Sequence, residues 1–302
     1  MAVVVIAGPT GTGKSELAVR LAEKIGGEII NYDSIQLYRG FDIGSAKPSP
    51  AQRARVRHHL FDILDADVAF NAAEYARAAR PLIEKIARPM LVGGTFFYLR
   101  AVLAGLPEMP ARDAALRARL RHIASAPRGQ ERLHRWLSKV DPKSGAAIAP
   151  ADRHRVERAL EVWIVSGQPI SAWQRPTPMA EEIPSIKIAL ALDRQQLVKS
   201  LDARVDAMYR SGLIEETRQL LRRYPPPPAA RPFDAIGYRE ASAVISGRLT
   251  ESEAIAETRR RTRAYAKRQM TWLRAERNVH WVDAADRDAA FATALRLVEE
   301  ES

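Results

Sequence analysis

The chain has 302 residues, of which 46% are hydrophobic and 27% charged, so it has enough apolar side chains to bury a core in more than one domain. Its 47 lysines and arginines outnumber its 36 aspartates and glutamates, giving a formal net charge of +11. This surplus favours a polyanionic partner, although a general bias towards arginine would produce it too. Because the chain has no cysteine, disulfides, thiolate nucleophiles and cysteine-ligated metals are excluded.

The N-terminal sequence predicts a buried strand rather than a signal peptide. The run at residues 2–7 is apolar, has no basic flank and no small-residue cleavage site, and leads directly into a glycine-rich loop. No stretch of the sequence approaches the roughly 20 apolar residues that a membrane-spanning helix needs. We therefore expect a cytoplasmic protein that does not associate with a membrane.

Strand-like and helix-like segments alternate along much of the chain. Residues 2–7 form a β-branched run typical of a parallel strand covered on both faces, and residues 15–25 then follow a helical period. Further apolar runs lie at residues 28–32, 90–92, 186–192 and 279–282, with helical segments between them. The alternation predicts an α/β fold with a mostly parallel sheet.

A region rich in arginine and alanine interrupts this alternation. Residues 111–180 contain helical patterns and no plausible strand, so we predict an all-helical insertion domain between two parts of the core, residues 1–110 and 181–302. Prolines in the segment 176–185 indicate a connector back into the sheet. The proline run at 225–228 indicates a second, stiff loop.

A phosphate-binding loop follows the first predicted strand. Residues 8–15, with the sequence GPTGTGKS, match the pattern G-x-x-x-x-G-K-[ST] between a strand and a helix, which is the context that confirms it. Glycines let backbone N–H groups surround phosphate oxygens, the lysine neutralises charge, and the Ser15 hydroxyl can bind Mg²⁺, the expected cofactor. The predicted diphosphate-binding residues are Gly8, Pro9, Thr10, Gly11, Thr12, Gly13, Lys14 and Ser15.

The loop alone does not distinguish a nucleotide that is hydrolysed from another diphosphate whose carbon end reacts. A nucleotide hydrolase needs an acidic residue after a buried strand to order Mg²⁺. Asp33 and Asp193 both occupy such positions. A kinase or ATPase therefore remains open on the pattern of residues alone.

Four segments in order along the chain carry a resemblance to a known family. They are DSIQLYRGFDIGSAKP at residues 33–48, LVGGTFFYLR at 91–100, AIGYRE at 235–240 and TRAYAKRQMTW at 262–272. Together they resemble the tRNA dimethylallyltransferase (isopentenyltransferase) family. The resemblance implies a P-loop NTPase-like core with a helical insertion. It also implies transfer of a dimethylallyl group from dimethylallyl diphosphate to the exocyclic amine of the adenosine on the 3′ side of the tRNA anticodon.

Two residues are expected to take part in the chemistry. An exocyclic adenine amine is a poor nucleophile, so a carboxylate should accept its proton; Asp33, at the carboxyl edge of the predicted sheet, is our choice of base. A role in capping a helix or in ordering Mg²⁺ is the alternative for Asp33. Thr95 matches a family residue that contacts the adenosine, and an ordinary helix N-cap is its alternative.

Further residues are expected to bind the substrates. By resemblance, Arg204 neutralises the leaving diphosphate, although a solvated helix arginine is nearly as plausible. An anticodon-loop adenosine must be extruded for chemistry on its base, and by resemblance it meets Asp33, Ser34, Ile35, Gln36 and Thr95. The sequence departs from the family pattern at Phe96, where glycine is common, and at residues 11–12, where Ala-Ser is common. We expect the bulk of Phe96 to lie near the adenosine channel.

Residues 255–277 predict an amphipathic helix with a basic face. Its basic arc contains Arg259, Arg260, Arg263, Lys267, Arg274 and Arg277, and its packing arc contains Ile255, Thr262, Tyr265, Ala266, Gln269, Trp272 and Leu273. Because no acidic residue lies between Arg259 and Arg274, we expect uncompensated charge that faces tRNA phosphates; a solvated surface helix is the alternative. The predicted tRNA contacts of this kind are Arg259, Arg263, Lys267 and, from the resemblance, Arg117.

The expected partners are thus the tRNA anticodon loop and dimethylallyl diphosphate, and we expect a monomer. A non-catalytic RNA-binding module is a third interpretation, but it leaves the intact phosphate loop unexplained. We assign the histidine pair His58-His59 and the tryptophans Trp136, Trp163 and Trp173 to the core or an interface, because no third metal ligand is evident beside the histidines.

Overall fold

A computed structural model describes residues 2–173, 182–224 and 231–301. The chain divides into two compact units, one formed by Met1–Ala104 with Glu182–Ser302 and the other by Gly105–Glu181. The sequence places the helical insertion at 111–180. Most of the predicted connector at 176–185 and the whole proline run at 225–228 lie outside the described residues.

Unit one contains a parallel six-stranded sheet in the order β3-β2-β4-β1-β5-β6. Its strands are β1 Val3–Ala7, β2 Glu28–Asn31, β3 His58–His59, β4 Pro89–Val92, β5 Ser185–Ala191 and β6 Val279–Asp283. The prediction of a mostly parallel α/β sheet is confirmed, with five strands close to their predicted positions. The sixth, β3, has only two residues, too few for any periodic pattern to reveal.

The described part of the chain contains fourteen α-helices and one 3₁₀-helix at Arg231–Asp234. The α-helices are α1 Lys14–Ile25, α2 Pro50–Arg55, α3 Ala72–Lys85, α4 Phe96–Leu103, α5 Ala114–Ser125, α6 Gly129–Val140, α7 Pro142–Ala147, α8 Arg153–Ser166, α9 Ile170–Trp173, α10 Arg194–Arg210, α11 Leu213–Arg223, α12 Tyr238–Ile245, α13 Glu251–Ala275 and α14 Arg287–Glu301. Within the described ranges, no helix combines the length and apolar composition that a membrane crossing requires.

The core of unit one forms because the central strands are apolar along their whole length. All five residues of β1 are buried, as expected for a parallel strand covered on both faces. One hydrophobic cluster joins Ile6 and Ile188 of the sheet to Leu21 of α1 and Ala294 of α14. Helix α1 ends at Gly26, which caps it in the left-handed conformation with φ of 71°. This packing fixes the strand ends from which the functional loops extend.

Unit two, as far as the structure describes it, consists of helices α5 to α9 and contains no strand. Its core includes Leu120, Leu137, Val156 and Leu160. Trp136 and Trp163 pack edge to face with ring centroids 5.8 Å apart, which is a geometry that aromatic pairs prefer. The expectation that these two tryptophans are packing residues is confirmed.

A buried carboxylate joins helices α5 and α8 of this unit. The side chain of Glu161 is fully buried and accepts hydrogen bonds from Arg117 Nε at 3.0 Å, Arg158 Nη1 at 2.6 Å and the backbone N–H of Asp113 at 2.8 Å. Both arginine side chains remain about one-fifth exposed, so they keep some contact with water. Glu161 is the member that depends wholly on its partners.

We predict that Glu161→Ala destabilises unit two by about 3 kcal/mol, because removing one partner of a buried ion pair leaves the others unpaired. Hydrogen exchange of the α8 amides measures this as a fall in the opening free energy. The control is Glu108→Ala, which removes an exposed carboxylate and should change the same quantity by less than about 0.5 kcal/mol. Equal protection in the Glu161 variant and the wild type would contradict the assigned role.

Candidate active site

The phosphate loop turns sharply at the end of β1 because three of its residues are glycines with positive φ. A Cβ at Gly8, whose φ is 142°, would lie 2.8 Å from the carbonyl oxygen of Leu190, and one at Gly11, with φ of 86°, would lie 3.0 Å from Leu201. Gly13, with φ of 84°, is the N-cap of α1, and no side chain caps the helix there. The first N–H groups of α1 are therefore open to an anion.

Two cations point towards the space above this loop. Lys14 Nζ donates a hydrogen bond to the Pro9 carbonyl at 2.8 Å, and burial, together with the neighbouring Arg204, lowers the pKa of Lys14 to about 7. Arg204, on α10, forms no hydrogen bond or ion pair with any residue that the structure describes, and burial lowers its pKa. Two cations held close together without a full set of carboxylate partners favour an anionic ligand.

A cavity of about 560 Å³ joins the phosphate loop to Arg204 and to the segment that begins at Asp33. The predicted residues that line it are Thr10, Gly11, Gly13, Lys14, Ser15, Asp33, Ser34, Ile35, Gln36 and Arg204. The remaining loop residues, Gly8, Pro9 and Thr12, are buried beneath, where Thr12 Oγ1 donates to the Pro9 carbonyl at 2.9 Å. The structure thus brings Arg204, most of the phosphate loop and four of the five predicted adenosine residues into one space, whereas the fifth, Thr95, is not among the lining residues.

Asp33 lies directly beyond the end of β2. Its Oδ1 accepts hydrogen bonds from the backbone N–H groups of Ile35 at 2.9 Å and Gln36 at 3.4 Å, so this oxygen caps a turn, whereas no described residue donates to Oδ2. Burial raises the pKa of Asp33, although the two backbone hydrogen bonds and the charges of Lys14 and Arg204 oppose the rise. One carboxylate oxygen is thus structural and the other is available as a proton acceptor.

The other acidic candidate, Asp193, has a different role. Its Oδ1 accepts from the backbone N–H groups of Gln195 at 2.7 Å and Gln196 at 3.1 Å, which makes it the N-cap of α10. Asp193 is not among the residues that line the cavity. Asp33 therefore remains the carboxylate placed for chemistry.

The turn Gly93–Thr95 at the end of β4 forms the wall beside Asp33. A Cβ at Gly93 would lie 2.6 Å from the backbone of Tyr32, and one at Gly94 would lie 2.7 Å from Gln269 Nε2 and 3.4 Å from Asp33 Oδ2. At position 93 the contact is with backbone atoms, so only glycine fits there, whereas a Cβ at position 94 would displace the end of the Gln269 side chain. This contact brings the ends of β2 and β4 together.

Thr95 supports the Asp33 segment rather than the helix that follows it. Its Oγ1 accepts a hydrogen bond from the N–H of Ser34 at 3.0 Å and donates to Ser34 Oγ at 3.2 Å. Thr95 occupies the N-cap position of α4, but its side chain makes no capping hydrogen bond, so the plain capping alternative is wrong. A contact between Thr95 and the adenosine stays a prediction.

Gln269 and Tyr265 on α13 connect these loops, and both were assigned in sequence only to a packing face. Gln269 Oε1 accepts from the N–H of Thr10 at 2.9 Å, and its Nε2 donates to the Gly94 carbonyl at 2.9 Å. Tyr265 donates its hydroxyl to the same carbonyl at 2.9 Å. A long polar amide on an apolar arc was the signal for a specific role, because a buried amide requires partners.

Comparison with known proteins shows the family to which the chain belongs. Residues 36–276 match a family model described as IPP transferase. The tRNA dimethylallyltransferase of Geobacter sulfurreducens is 44% identical over 286 residues, covering 93% of this chain and 91% of that protein. The tRNA dimethylallyltransferase of Symbiobacterium thermophilum is 44% identical over 305 residues, with 98% and 95% covered. The chain belongs to the IPP transferase family.

Solved structures agree with this assignment. The full-length tRNA isopentenylpyrophosphate transferase from Bacillus halodurans superposes with a TM-score of 0.71 at 37% identity, covering 99% of this chain and 96% of that one. A eukaryotic dimethylallyltransferase acting on tRNA gives a TM-score of 0.77 at 27% identity, covering 95% and 75%. The family resemblance and the P-loop NTPase-like fold predicted from sequence are confirmed.

The departure from the IPP transferase pattern at Phe96 does not crowd the cavity. Phe96 is 5% exposed, its ring centroid lies 6.4 Å from that of Tyr32, and it is not among the cavity-lining residues. Helix α4 directs this side chain into the core, and an influence of Phe96 on the nearby adenosine channel stays a prediction. The exposed aromatic residue of the segment is the next one, Phe97, at 51%.

Half of the basic arc of α13 is compensated, contrary to the prediction: Arg259, Arg260 and Arg263 form ion pairs. Lys267, Arg274 and Arg277 form none with the residues that the structure describes. Arg259 pairs with Asp206 and Arg263 with Asp202, both acids on α10, while Arg261 pairs with Glu240 on α12. The sequence between Arg259 and Arg274 does not reveal these acids, because they lie on neighbouring helices. The pairing order shows that α10 and α13 run antiparallel.

Two further details of this helix differ from the prediction. Trp272 is 38% exposed rather than packed, and Arg277 lies beyond the end of α13 at Ala275. Lys267 is exposed and forms no ion pair with the residues that the structure describes. Of the three basic residues assigned to tRNA on this face, Lys267 is thus the one with an uncompensated charge.

Other predicted residues have structural partners. Arg117 is 22% exposed and bound to Glu161, so a contact with tRNA stays a prediction. His58 Nδ1 is 2.8 Å from the Val56 carbonyl, and His59 Nε2 is 2.5 Å from Glu28 Oε2. Across the described ranges, no group of three or more histidine or carboxylate residues could hold a metal ion.

We predict that diphosphate affinity depends on the protonation of Lys14. Because the pKa of Lys14 is about 7 in the free protein and an ammonium binds the anion, rising pH removes the favourable charge. Lys14→Arg keeps its charge at every pH used and serves as the matched control. The ratio of the wild-type Kd to the variant Kd should be flat below pH 7 and rise about tenfold per pH unit above it.

Calorimetric titration with dimethylallyl diphosphate between pH 6 and 9 measures this ratio, in which the ionisation of the ligand cancels. A ratio that is constant across the range would contradict a lysine of lowered pKa in contact with the diphosphate.

Proposed function

We propose that the chain transfers a dimethylallyl group from dimethylallyl diphosphate to the exocyclic amine of the adenosine on the 3′ side of the anticodon in tRNA, giving isopentenyladenosine and diphosphate. The observation that carries the proposal is the single cavity lined by both the phosphate loop and Asp33. Membership of the IPP transferase family supports it. All the groups invoked come from one chain, so we propose that a monomer is sufficient.

The diphosphate occupies the phosphate loop. The open N–H groups at the start of α1 face its oxygens, and Lys14 and Arg204 supply positive charge from the cavity wall. As the bond between C1 and the bridging oxygen breaks, negative charge grows on the diphosphate. Donors and cations already in place stabilise that charge without reorganisation.

The site fits a Mg²⁺ ion bound mainly through the diphosphate. The Ser15 hydroxyl lines the cavity beside Lys14, and the lack of a carboxylate cluster among the described residues suits an ion that takes most of its ligands from phosphate and water. Mg²⁺ there would neutralise the diphosphate and make it a better leaving group.

Asp33 acts on the adenosine, which accepts the dimethylallyl group. The amine nitrogen of adenosine forms a bond to C1 of the dimethylallyl group, the electrons of the broken C–O bond leave with diphosphate, and the amine proton passes to Asp33 Oδ2. Ser34, Ile35 and Gln36 line the cavity next to Asp33 and receive the extruded base. Thr95 holds this segment in place through Ser34.

The protein meets tRNA phosphates with only part of its basic face. Lys267 is exposed and its charge is available, whereas Arg259 and Arg263 share theirs with Asp206 and Asp202. Releasing a counterion from RNA requires an uncompensated cation. Arg117 serves as a further contact from the insertion.

The reaction is tested by incubating the protein with unmodified tRNA, Mg²⁺ and radiolabelled dimethylallyl diphosphate, with labelled ATP in a parallel tube. Nucleoside analysis should place the label in an adenosine and leave ATP intact. ATP breakdown without prenyl incorporation would contradict the proposal and assign the phosphate loop to a kinase or ATPase.

In the same assay, Asp33→Asn should lower the transfer rate by about 10²–10⁴-fold, the usual contribution of a general base, while tRNA affinity stays within about threefold. Asp193→Asn is the matched control, because asparagine caps a helix as well as aspartate does and Asp193 lies outside the cavity lining. Unchanged turnover in Asp33→Asn would remove this residue as the base.

For tRNA binding, Lys267→Ala should reduce the slope of log Kd against log salt concentration by about 0.7, the value of one single-stranded phosphate contact. Arg263→Ala should change the slope by less than half as much, because its charge is already paired. Equilibrium binding between 50 and 200 mM salt measures both slopes. Equal changes in the two variants would contradict the division between free and compensated charge.

A further inference from the structure

The two halves of the cavity extend from different strands and are joined by one side chain. The phosphate loop follows β1 and the Gly93–Thr95 turn follows β4, which is its neighbour in the sheet. Beyond the strand ends, sheet hydrogen bonds no longer hold these segments together. Gln269 on α13 spans them with a hydrogen bond at each end of its amide, one from Thr10 N–H and one to the Gly94 carbonyl, both 2.9 Å long.

The amide has little contact with water, although Gln269 is one of the residues that line the cavity. Gln269 is only 3% exposed, and a Cβ at Gly94 would lie 2.7 Å from its Nε2, so turn and amide are in direct contact. Tyr265, one helical turn earlier, donates to the same Gly94 carbonyl. A buried backbone group that loses its partner is costly to leave unpaired. Without the amide, the Gly94 carbonyl keeps the Tyr265 hydroxyl but the Thr10 N–H loses its partner, so the phosphate loop would shift relative to the turn.

We propose that Gln269 is a positioning residue for group transfer, which fixes the distance between the diphosphate on the phosphate loop and the acceptor held beside Asp33. The inference rests on the proposed function and extends it to a residue that touches neither reacting atom. A displacement of about 1 Å between reacting groups can lower a rate about 10²-fold. Gln269 therefore acts on the rate of transfer more than on the binding of either substrate.

The diphosphate should bind almost normally without this amide. Its affinity comes from the N–H groups at the start of α1, which need no side-chain cap, and from Lys14 and Arg204. The loop keeps its own internal contacts, including the hydrogen bond from Ser200 Oγ to the Gly11 carbonyl at 2.7 Å. A selective loss of rate therefore separates positioning from binding.

Glutamate at this position offers an isosteric test. A protonated carboxyl group can accept from Thr10 N–H and donate to the Gly94 carbonyl, as the amide does. An ionised carboxylate keeps the first bond, loses the second and places a negative charge against a carbonyl oxygen. Lowering the pH should therefore restore the bridge in Gln269→Glu. The titratable and charged groups that line the same cavity are Lys14, Glu16, Asp33, Lys47, His58, Arg204, Asp234, Tyr265 and Arg268.

The experiment measures single-turnover transfer between pH 5.5 and 8.5 with saturating unmodified tRNA and dimethylallyl diphosphate. The proteins are the wild type, Gln269→Met, Gln269→Glu and the control Gln219→Met, which alters an exposed glutamine of α11. The Kd for dimethylallyl diphosphate is measured on the same samples. Rates are expressed relative to the wild type at each pH, so that titration of groups common to both proteins largely cancels.

We expect Gln269→Met to transfer about 10²-fold more slowly while its Kd changes less than about threefold, and Gln219→Met to behave as the wild type. The relative rate of Gln269→Glu should be low at pH 8.5 and rise at least tenfold towards pH 5.5. If the methionine variant does not fold, the pH response of the glutamate variant decides the question by itself.

Relative rates near one for the Gln269 variants, or a loss confined to Kd with a normal rate at saturation, would overturn the inference. So would a glutamate variant whose relative rate does not change with pH. A wild-type protein that transfers no label would contradict the proposed function itself, a result distinct from any of these.

Discussion

The active cavity depends on the order of three neighbouring parallel strands. Strands β2, β4 and β1 are neighbours in the sheet, in that order. A functional segment follows the carboxyl end of each strand: Asp33–Gln36 after β2, Gly93–Thr95 after β4 and the phosphate loop after β1. Because parallel strands end at the same edge of a sheet, residues distant in sequence meet there. Gly93 then allows an approach of backbone segments that a Cβ would block. The sheet places the three segments next to one another, and Gly93 and Gln269 determine how closely they approach.

Burial shifts the charged groups of the cavity in opposite directions. It lowers the pKa of Lys14 to about 7 and raises the pKa of Asp33, so each group moves towards its neutral form before any ligand binds. A bound diphosphate would favour the charged lysine again, because an anion close to an ammonium stabilises it. The free site is thus set to respond to a polyanion.

Local patterns in the sequence predicted much of this arrangement. Contacts between residues that are distant in sequence could not be predicted from it. The phosphate loop is a contiguous pattern between a strand and a helix, and Asp33 follows an apolar run, so both could be placed from sequence and strand order. Gln269 could not, because its role depends on Thr10 and Gly94, which are 259 and 175 residues away in sequence. The ion pairs of Arg259 and Arg263 with acids on α10 could not be predicted for the same reason.

In the proposed reaction, the diphosphate and the acceptor amine meet between the phosphate loop and Asp33. The most direct measurement is a crystal structure of the protein with an unmodified tRNA anticodon stem-loop, Mg²⁺ and an unreactive thiolo analogue of dimethylallyl diphosphate. We predict that the diphosphate contacts the N–H groups at the start of α1, with the adenine amine within hydrogen-bond distance of Asp33 Oδ2. An adenine amine oriented away from Asp33, or a diphosphate bound outside the phosphate loop, would contradict the account.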